Sequence, residues 1–336
     1  MSSSSAAAKS ASKPKSAVQA AIGVDIGGTK ICSAVVTSQF ADNPRLSNVQ
    51  MTATPQNAEL FLEAIETMAE ELRRLHPQAV IGGIGISTAG AVNSRAGEIV
   101  GSIGNLPFLS EIPQLKRILE ERIGLPVCVE NDANAAAYAE YRVGAGRGFD
   151  PVMMATLGTG VGGGFVSQGK IYSGSRFFAM EVGHICIEKD RLRQCTCGRW
   201  GCWEAFASGT GLRKTIHETL LNDERAKGSR LLSMDKEIES IGNHDLMDAF
   251  AKGDVAARLI VDIWHQDIAT GLGSVINVLD PDVVVIGGGL CRFVDFDKLA
   301  QLTSQRSMRE GTPIKRATLD NHAGVVGAAY LAMESL

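Results

Sequence analysis

Apolar residues recur in two rhythms along this chain. Short β-type runs flank glycine-rich turns, and longer stretches repeat their apolar positions at helical spacing. The first element runs from Ala21 to Val36, two apolar segments around Gly27-Gly28-Thr29-Lys30, and reads as a β-hairpin. The same pattern recurs from Met153 to Val166 around Gly158-Thr159-Gly160, with Gly162 just beyond. Between the hairpins, the spacing of Leu60, Phe61, Ala64, Ile65, Met68 and Leu72 predicts a helix over 59–75. A strand from Ile81 ends in the small residues Ser87-Thr88-Ala89-Gly90, expected as a loop, and a helix spans Pro113 to Arg122. A short strand from Val127 then meets Glu130-Asn131-Asp132 and an alanine-rich helix. Helical periodicity returns at 209–221 and 255–279, joined by a charged connection containing Asp245 to Lys252. An apolar strand opens into Gly287-Gly288-Gly289, and 323–333 predicts a closing helix.

These elements alternate strands with helices, so the fold class is α/β. Two hairpins with glycine turns, one in each half, suggest a duplicated architecture around a shared cleft. The expected division is a tail at 1–19, a first domain of 20–130 plus 321–336, and a second of 131–320. Residues 1–19 are rich in Ser, Ala and Lys and read as a disordered arm outside the fold.

The chemistry concentrates at Glu181 to Glu204. His184, Cys195, Cys197 and Cys202 form an H-x(10)-C-x-C-x(4)-C array, the ligand set of a closed structural zinc site. Free buried cysteines or a disulfide are the alternative, but a Cys-x-Cys pair disfavours a mutual bridge. Such a knuckle would hold the carboxylates of Glu181 and Glu204 near one another.

Glycines at the two hairpin turns let backbone N–H groups approach a phosphate, while Thr29 and Lys30 add a hydroxyl and a charge. The first turn lacks the longer glycine spacing of a P-loop and the following helix that a dinucleotide fingerprint needs. Asp25 sits where a carboxylate could hold Mg²⁺ through water. The glycines at 287–289 offer a further close backbone approach to a nucleotide. Asn131 or Asp132 is a natural helix N-cap, yet three polar residues stacked at one strand–helix junction also suit a general base, kept ionised by the helix N-terminus. Asn105 could serve a hydroxylated ligand.

Composition narrows the classes. The chain has 336 residues, 45% of them hydrophobic, enough for a large core and two domains. A net charge of -4 and 5% aromatics argue against a nucleic-acid surface. No apolar run has the length of a membrane span. Seven cysteines without a paired framework fit a reducing cytoplasm.

Together, Asp25-Ile-Gly-Gly-Thr-Lys, Glu130-Asn-Asp-Ala-Asn, Leu157-Gly-Thr-Gly-Val-Gly-Gly-Gly, Glu181-Val-Gly-His and Cys195-x-Cys-Gly-x-x-Gly-Cys-x-Glu resemble the ROK family of the actin-like sugar kinase superfamily. The resemblance runs from Ala21 to the C-terminus. It implies two actin-like domains that close around ATP and a sugar. Asp132 would be the base toward the sugar hydroxyl. Asn131, Glu181, His184 and Glu204 would bind the sugar, helped by Asn105, Ser87 and Thr88. Gly27 to Lys30 and Thr159 to Gly162 would hold the ATP phosphates with Mg²⁺, and His184 would serve both zinc and a hydroxyl. Glucose is the first expected substrate and N-acetylmannosamine its nearest rival, in a homodimer or homotetramer. The family often has Gly or Ala where Met180 stands, and glucokinases often have Trp near Phe108, so Phe177-Phe178-Ala179-Met180 is an unusual rim. Repressors of the family carry a winged helix-turn-helix ahead of the first hairpin, and the short low-complexity arm here lacks that pattern.

Overall fold

The structure is a computed structural model that describes residues 20–37, 45–100 and 106–335. The arm at 1–19 and Asn105 lie outside the described residues. The chain opens with a β-meander of β1 (Ala20–Ile26), β2 (Lys30–Thr37) and β3 (Arg45–Ala53), followed by α1 (Ala58–Leu75) and β4 (Ile81–Thr88). A small ribbon, β5 (Ala91–Asn93) and β6 (Glu98–Val100), precedes α2 (Leu115–Ile123), β7 (Val127–Asn131) and α3 (Asp132–Val143). The first sheet has the order β3-β2-β1-β4-β7, antiparallel through the meander and parallel from β1 to β7.

The second half repeats this plan. It contains β8 (Val152–Leu157), β9 (Val161–Ser167), β10 (Lys170–Ile171), α4 (Glu204–Ala207), α5 (Gly209–Asn222), α6 (Asn243–Ala251), α7 (Val255–Leu279), β11 (Val283–Gly287), α8 (Phe296–Ser304), β12 (Ile314–Arg316) and α9 (Ala323–Ser335). Its sheet runs β10-β9-β8-β11-β12, with an antiparallel hairpin edge and parallel pairs beyond. The connection expected to be merely charged contains α6. Leu246 and Ala249 bury one face of it, and Asp245 bonds back to the N–H of Gly242. The period was hidden because one turn of apolar residues is too short to stand out among charges.

Three layers of core follow. Strand residues Ile22, Val24, Ile84 and Ile86 pack with Phe61, Ile65 and Leu72 of α1 on the outer face of the first sheet. Ile216, Ile260, Trp264, Ile268 and Leu272 cover the outer face of the second. Between the sheets, α9 lies on β1 and β4, α3 lies on β8 and β9, and the two helices pack on each other. This seam is unusually tight. A methyl group at Gly85 would meet Ala328 O at 1.8 Å, and one at Gly327 would meet Ala135 O at 1.8 Å. Glycine at both positions lets backbone rest on backbone.

The seam fixes where the chemistry sits. Both α3 and α9 start at the cleft end, so Asp132 and Gly324, each in the first turn of its helix, lie near the β1–β2 turn. Buried Glu140 ties the far end of α3 to the segment before α9. Its carboxylate accepts from the N–H groups of Ala145 (2.7 Å), Thr318 (2.9 Å) and Leu319 (2.8 Å), and from the Thr318 hydroxyl (3.2 Å).

Candidate active site

At the carboxyl end of β7 the backbone passes from strand to helix, and the polar residues there divide the work. Asn131 is the cap of α3: its Oδ1 accepts from Asn134 N at 3.1 Å. Its Nδ2 donates to Gly90 O at 3.0 Å and to Asp132 Oδ1 at 3.1 Å. Asp132 Oδ1 also accepts from Ala133 N at 2.8 Å. Capping and positioning are therefore done by the same side chain. Glu130 turns inward, where it accepts from Asn131 N (2.8 Å) and Asn134 Nδ2 (3.0 Å), and burial raises its pKa. It braces the junction from behind.

Asp132 is exposed at the cleft surface, while protein atoms crowd closely around its carboxylate. That crowding raises its pKa, against the pull of the Ala133 N–H, its own N–H and the Asn131 amide. The helix N-terminus alone would hold the group low, so desolvation wins here. A carboxylate moved toward neutrality is a better proton acceptor than an ordinary aspartate.

Asp25, on β1, is pushed up to about 6. Burial is the largest cause; the Ser87 hydroxyl and Lys30 lower it, and the charge of Asp132 raises it. The two carboxylates thus feel one another across the cleft. A methyl at Gly324 would approach Asp25 Oδ1 to 2.5 Å, so the first turn of α9 covers this carboxylate closely.

Ser87 and Thr88 correct the sequence reading. They belong to β4 and not to a loop, and both are fully buried. Ser87 Oγ donates to Asp25 Oδ1 at 2.8 Å, and Thr88 Oγ1 donates to Ala89 O at 3.4 Å. Parallel pairing of β1 with β4 places Asp25 opposite Ser87, which is why the hydroxyl serves the carboxylate.

The Gly158-Thr159-Gly160 turn is held from both sides. Gly209 N donates to Gly158 O (2.8 Å) and Thr210 Oγ1 to Thr159 O (3.2 Å) from the start of α5. From the other side, Leu290 N donates to Leu157 O at 3.0 Å, with Gly288 in the left-handed region at φ 86° beside it. A side chain at 288 would strike Leu157 O at 2.4 Å. Gly162 lies within β9, and Gly287 ends β11. The first turn is closed by Gly27 N to Lys30 O (2.9 Å) and by Thr54 Oγ1 to Gly27 O (2.7 Å). Thr29 and Lys30 are exposed there.

The cysteine knuckle folds onto this scaffold. His184, Cys195, Cys197 and Cys202 bring four ligand atoms within 4.8 Å of one another. Cys197 Sγ and Cys202 Sγ are 3.7 Å apart, as are Cys195 Sγ and His184 Nδ1. Two ligands of a tetrahedral zinc, each bonded at about 2.0–2.3 Å, stand about 3.5–3.8 Å apart. The residues therefore fit zinc. Burial and the neighbouring thiols push Cys202 up to about 12, a repulsion that a cation would reverse. Arg193 pins the knuckle down. Its guanidinium is buried over the Phe206 ring and donates to Ala205 O, Gly211 O, Thr215 Oγ1 and Glu218.

With Nδ1 of His184 toward the thiols, Nε2 lies 3.9 Å from Glu181 Oε2. Burial raises the pKa of Glu181; His184 opposes this, and the charges of Asp132 and Glu204 add to it. Three carboxylates and an imidazole thus share the cleft. Glu204 bonds Thr196 Oγ1 at 3.0 Å through one oxygen and Val161 N at 3.0 Å through the other, tying knuckle to hairpin. Met180, just before Glu181, has φ 66° and Phe177 has φ 63°. A left-handed conformation costs a non-glycine residue roughly 1 kcal/mol, so the backbone leading into Glu181 is locally strained.

Beside the second turn lies a cavity of about 680 Å³, lined by Thr159, Gly160, His184, Thr196, Glu204 and Lys214 among others. Lys214, with its Nζ on Gln194 O at 3.3 Å, joins this lining without having been marked by any sequence motif. Its place on a helix away from any motif gave no local signal.

The ROK family model matches residues 21–335. A glucokinase of Streptomyces coelicolor is 36% identical over 323 residues, covering 93% of this chain and 97% of the relative. An N-acetyl-D-glucosamine kinase of Haemophilus influenzae is 30% identical, covering 92% and 98%. The crystal structure of a ROK family glucokinase from Streptomyces griseus, in complex with glucose and AMPPNP, superposes with a TM-score of 0.74 at 34% identity, covering 94% of this chain and 99% of that one. Motifs, fold and relatives agree, and the chain belongs to the ROK family.

Proposed function

We propose that this sugar kinase transfers the γ-phosphoryl group of ATP to the 6-hydroxyl of a hexose, with glucose as the first substrate and Asp132 as the general base. The observation that carries this reading is the setting of Asp132: a cleft carboxylate raised by desolvation, oriented by Asn131, and within electrostatic reach of Asp25 and Glu181.

In this reading the sugar's hydroxyls bond to Asn131, Glu181, His184 Nε2 and Glu204, which orients the reacting hydroxyl toward Asp132. Asp132 accepts its proton as the oxygen attacks phosphorus. The Gly27–Lys30 and Gly158–Gly160 turns receive the phosphates through backbone N–H groups, with Lys30 adding charge. Gly287 to Gly289 lie against the nucleotide's other end. Mg²⁺, when bound, neutralises phosphate charge, and Asp25 would hold it through water. Zinc on His184, Cys195, Cys197 and Cys202 would be structural, because four protein ligands leave no open position. The two lobes, 20–130 with 321–336 and 131–320, would close about the α3–α9 seam. A cytoplasmic homodimer or homotetramer completes the reading.

The second substrate reading is an N-acetylhexosamine, N-acetylmannosamine first. The N-acetyl-D-glucosamine kinase of Haemophilus influenzae, 30% identical to this chain, supports keeping it. ADP release from Mg-ATP across glucose, N-acetylmannosamine, N-acetylglucosamine and mannose decides between them. Turnover led by glucose supports the first reading, and turnover led by an N-acetylated sugar moves the assignment to the second. No ADP release above background with any sugar sinks both.

A further inference from the structure

The zinc set uses three of seven cysteines, and one other stands directly beside it. Cys186, two residues after His184, is exposed. It faces Cys202 across a short antiparallel bridge. Ile187 N donates to Gly201 O and Trp203 N to Ile185 O, both at 2.8 Å. These bonds flank the Cys186–Cys202 pair without joining it, so the two form a non-hydrogen-bonded cross-strand pair. Cα atoms in such pairs are about 4.5 Å apart with side chains on one side. That lies within the range of about 4.4–6.8 Å found for disulfides. Cys186 Sγ now donates to Glu188 O at 3.1 Å, and a methyl at Gly201 would meet it at 3.1 Å. The thiol therefore already lies against the residue next to Cys202, on a pair whose backbone spacing suits a disulfide.

We propose that Cys186 is a site of oxidative modification, which captures the metal ligand Cys202 as a disulfide and opens the knuckle; this rests on the zinc reading above. With hydrogen peroxide as oxidant the steps balance. The Cys186 thiol gives a sulfenic acid and one water. The sulfur of Cys202 then attacks the sulfenic sulfur, forming the S–S bond and releasing the oxygen as a second water. Two thiols lose two electrons and two protons, and one peroxide becomes two waters. Where Cys202 is a zinc thiolate, the second proton comes from solvent and Zn²⁺ leaves a three-ligand remnant. Cys186 reacts first because it is exposed, whereas Cys195 and Cys202 are buried. Losing Cys202 loosens the anchor of His184, and with it the cleft face shared with Glu181.

The test treats full-length protein with peroxide, maps disulfides by mass spectrometry, and follows zinc with a metallochromic dye. The metal content is first measured by elemental analysis. The expected result is a Cys186–Cys202 linked peptide two hydrogens lighter than its reduced parts, with zinc released in step. Cys186→Ser should give no such peptide and release zinc several-fold more slowly. Thiol reductant plus zinc should restore the wild type. A bridge confined to Cys195, Cys197 and Cys202 with Cys186 unmodified, or equal zinc release from the variant, overturns the proposal. A preparation that holds no zinc defeats the metal reading instead, and the linked peptide still decides whether Cys186 captures Cys202.

Discussion

Ser87 and Asp25 sit opposite one another on the parallel strands β4 and β1, joined by a 2.8 Å hydrogen bond from hydroxyl to carboxylate. The Ser87 hydroxyl is the strongest influence holding Asp25 down against burial. A residue in a strand thus sets the charge state of a cleft group that it does not accompany into the cleft. Ser87→Ala should raise the pKa of Asp25 and move the acidic limb of the rate profile to higher pH. An unchanged limb in the pH dependence of kcat/KM would sever Asp25 from that limb.

Asp25 ionises with a pKa of about 6, against 3.8 for an unperturbed aspartate. Its raised value means the folded state disfavours the charge. The stability associated with the protonated group is full below about pH 4 and lost as pH rises through about 6. Asp25→Asn should therefore stabilise the fold at pH 7–8, by up to about 3 kcal/mol, while raising the Mg²⁺ concentration needed for turnover. Urea denaturation and Mg²⁺ titration read the two effects separately; a variant that loses stability at pH 8 contradicts the sign.

Asp132→Asn keeps the shape of the group and most of its hydrogen bonds but removes the proton acceptor. Turnover should fall by about 10²–10⁴-fold, with the melting temperature unchanged or raised, because burial disfavours the charge that the variant removes. Loss of activity in proportion to loss of folded protein would assign Asp132 to structure.

Glu140→Ala removes a buried acceptor of four hydrogen bonds and leaves their donors unpaired. Destabilisation of about 3 kcal/mol or more is expected, with kcat of the folded enzyme nearly unchanged because Glu140 lies at the far end of α3. Chemical denaturation, followed by single-substrate kinetics below the transition, checks both halves.

Cys197→Ser, or chelation of the wild type, should lower both stability and activity, since a structural metal contributes directly to folding. Each kcal/mol lost shifts the melting temperature of a domain this size by about 2–4 °C. Calorimetry with and without added Zn²⁺ measures it; a melting curve indifferent to chelator removes zinc from the structure.

Much of this was legible along the chain. The hairpins, the long helices and the Cys/His array are local patterns, written by apolar periodicity and by ligand spacing within a few turns of chain. The helix at Asn243–Ala251 was not read, because its apolar face is a single turn wide. Lys214 was not read because no motif marks it.

The amino-acid order by itself determined the glycine hairpins, the long helices, and which four side chains can share a metal. Those are properties of neighbours, decided over a few residues. What only the tertiary structure decided is what each polar group does. Parallel pairing put Ser87 on Asp25 and withdrew it from the cleft, and the α3–α9 seam brought Asp132 and Gly324 to one place from positions far apart in sequence. Desolvation then raised both aspartates, and it depends on all the protein around a charge, whatever its place in the chain.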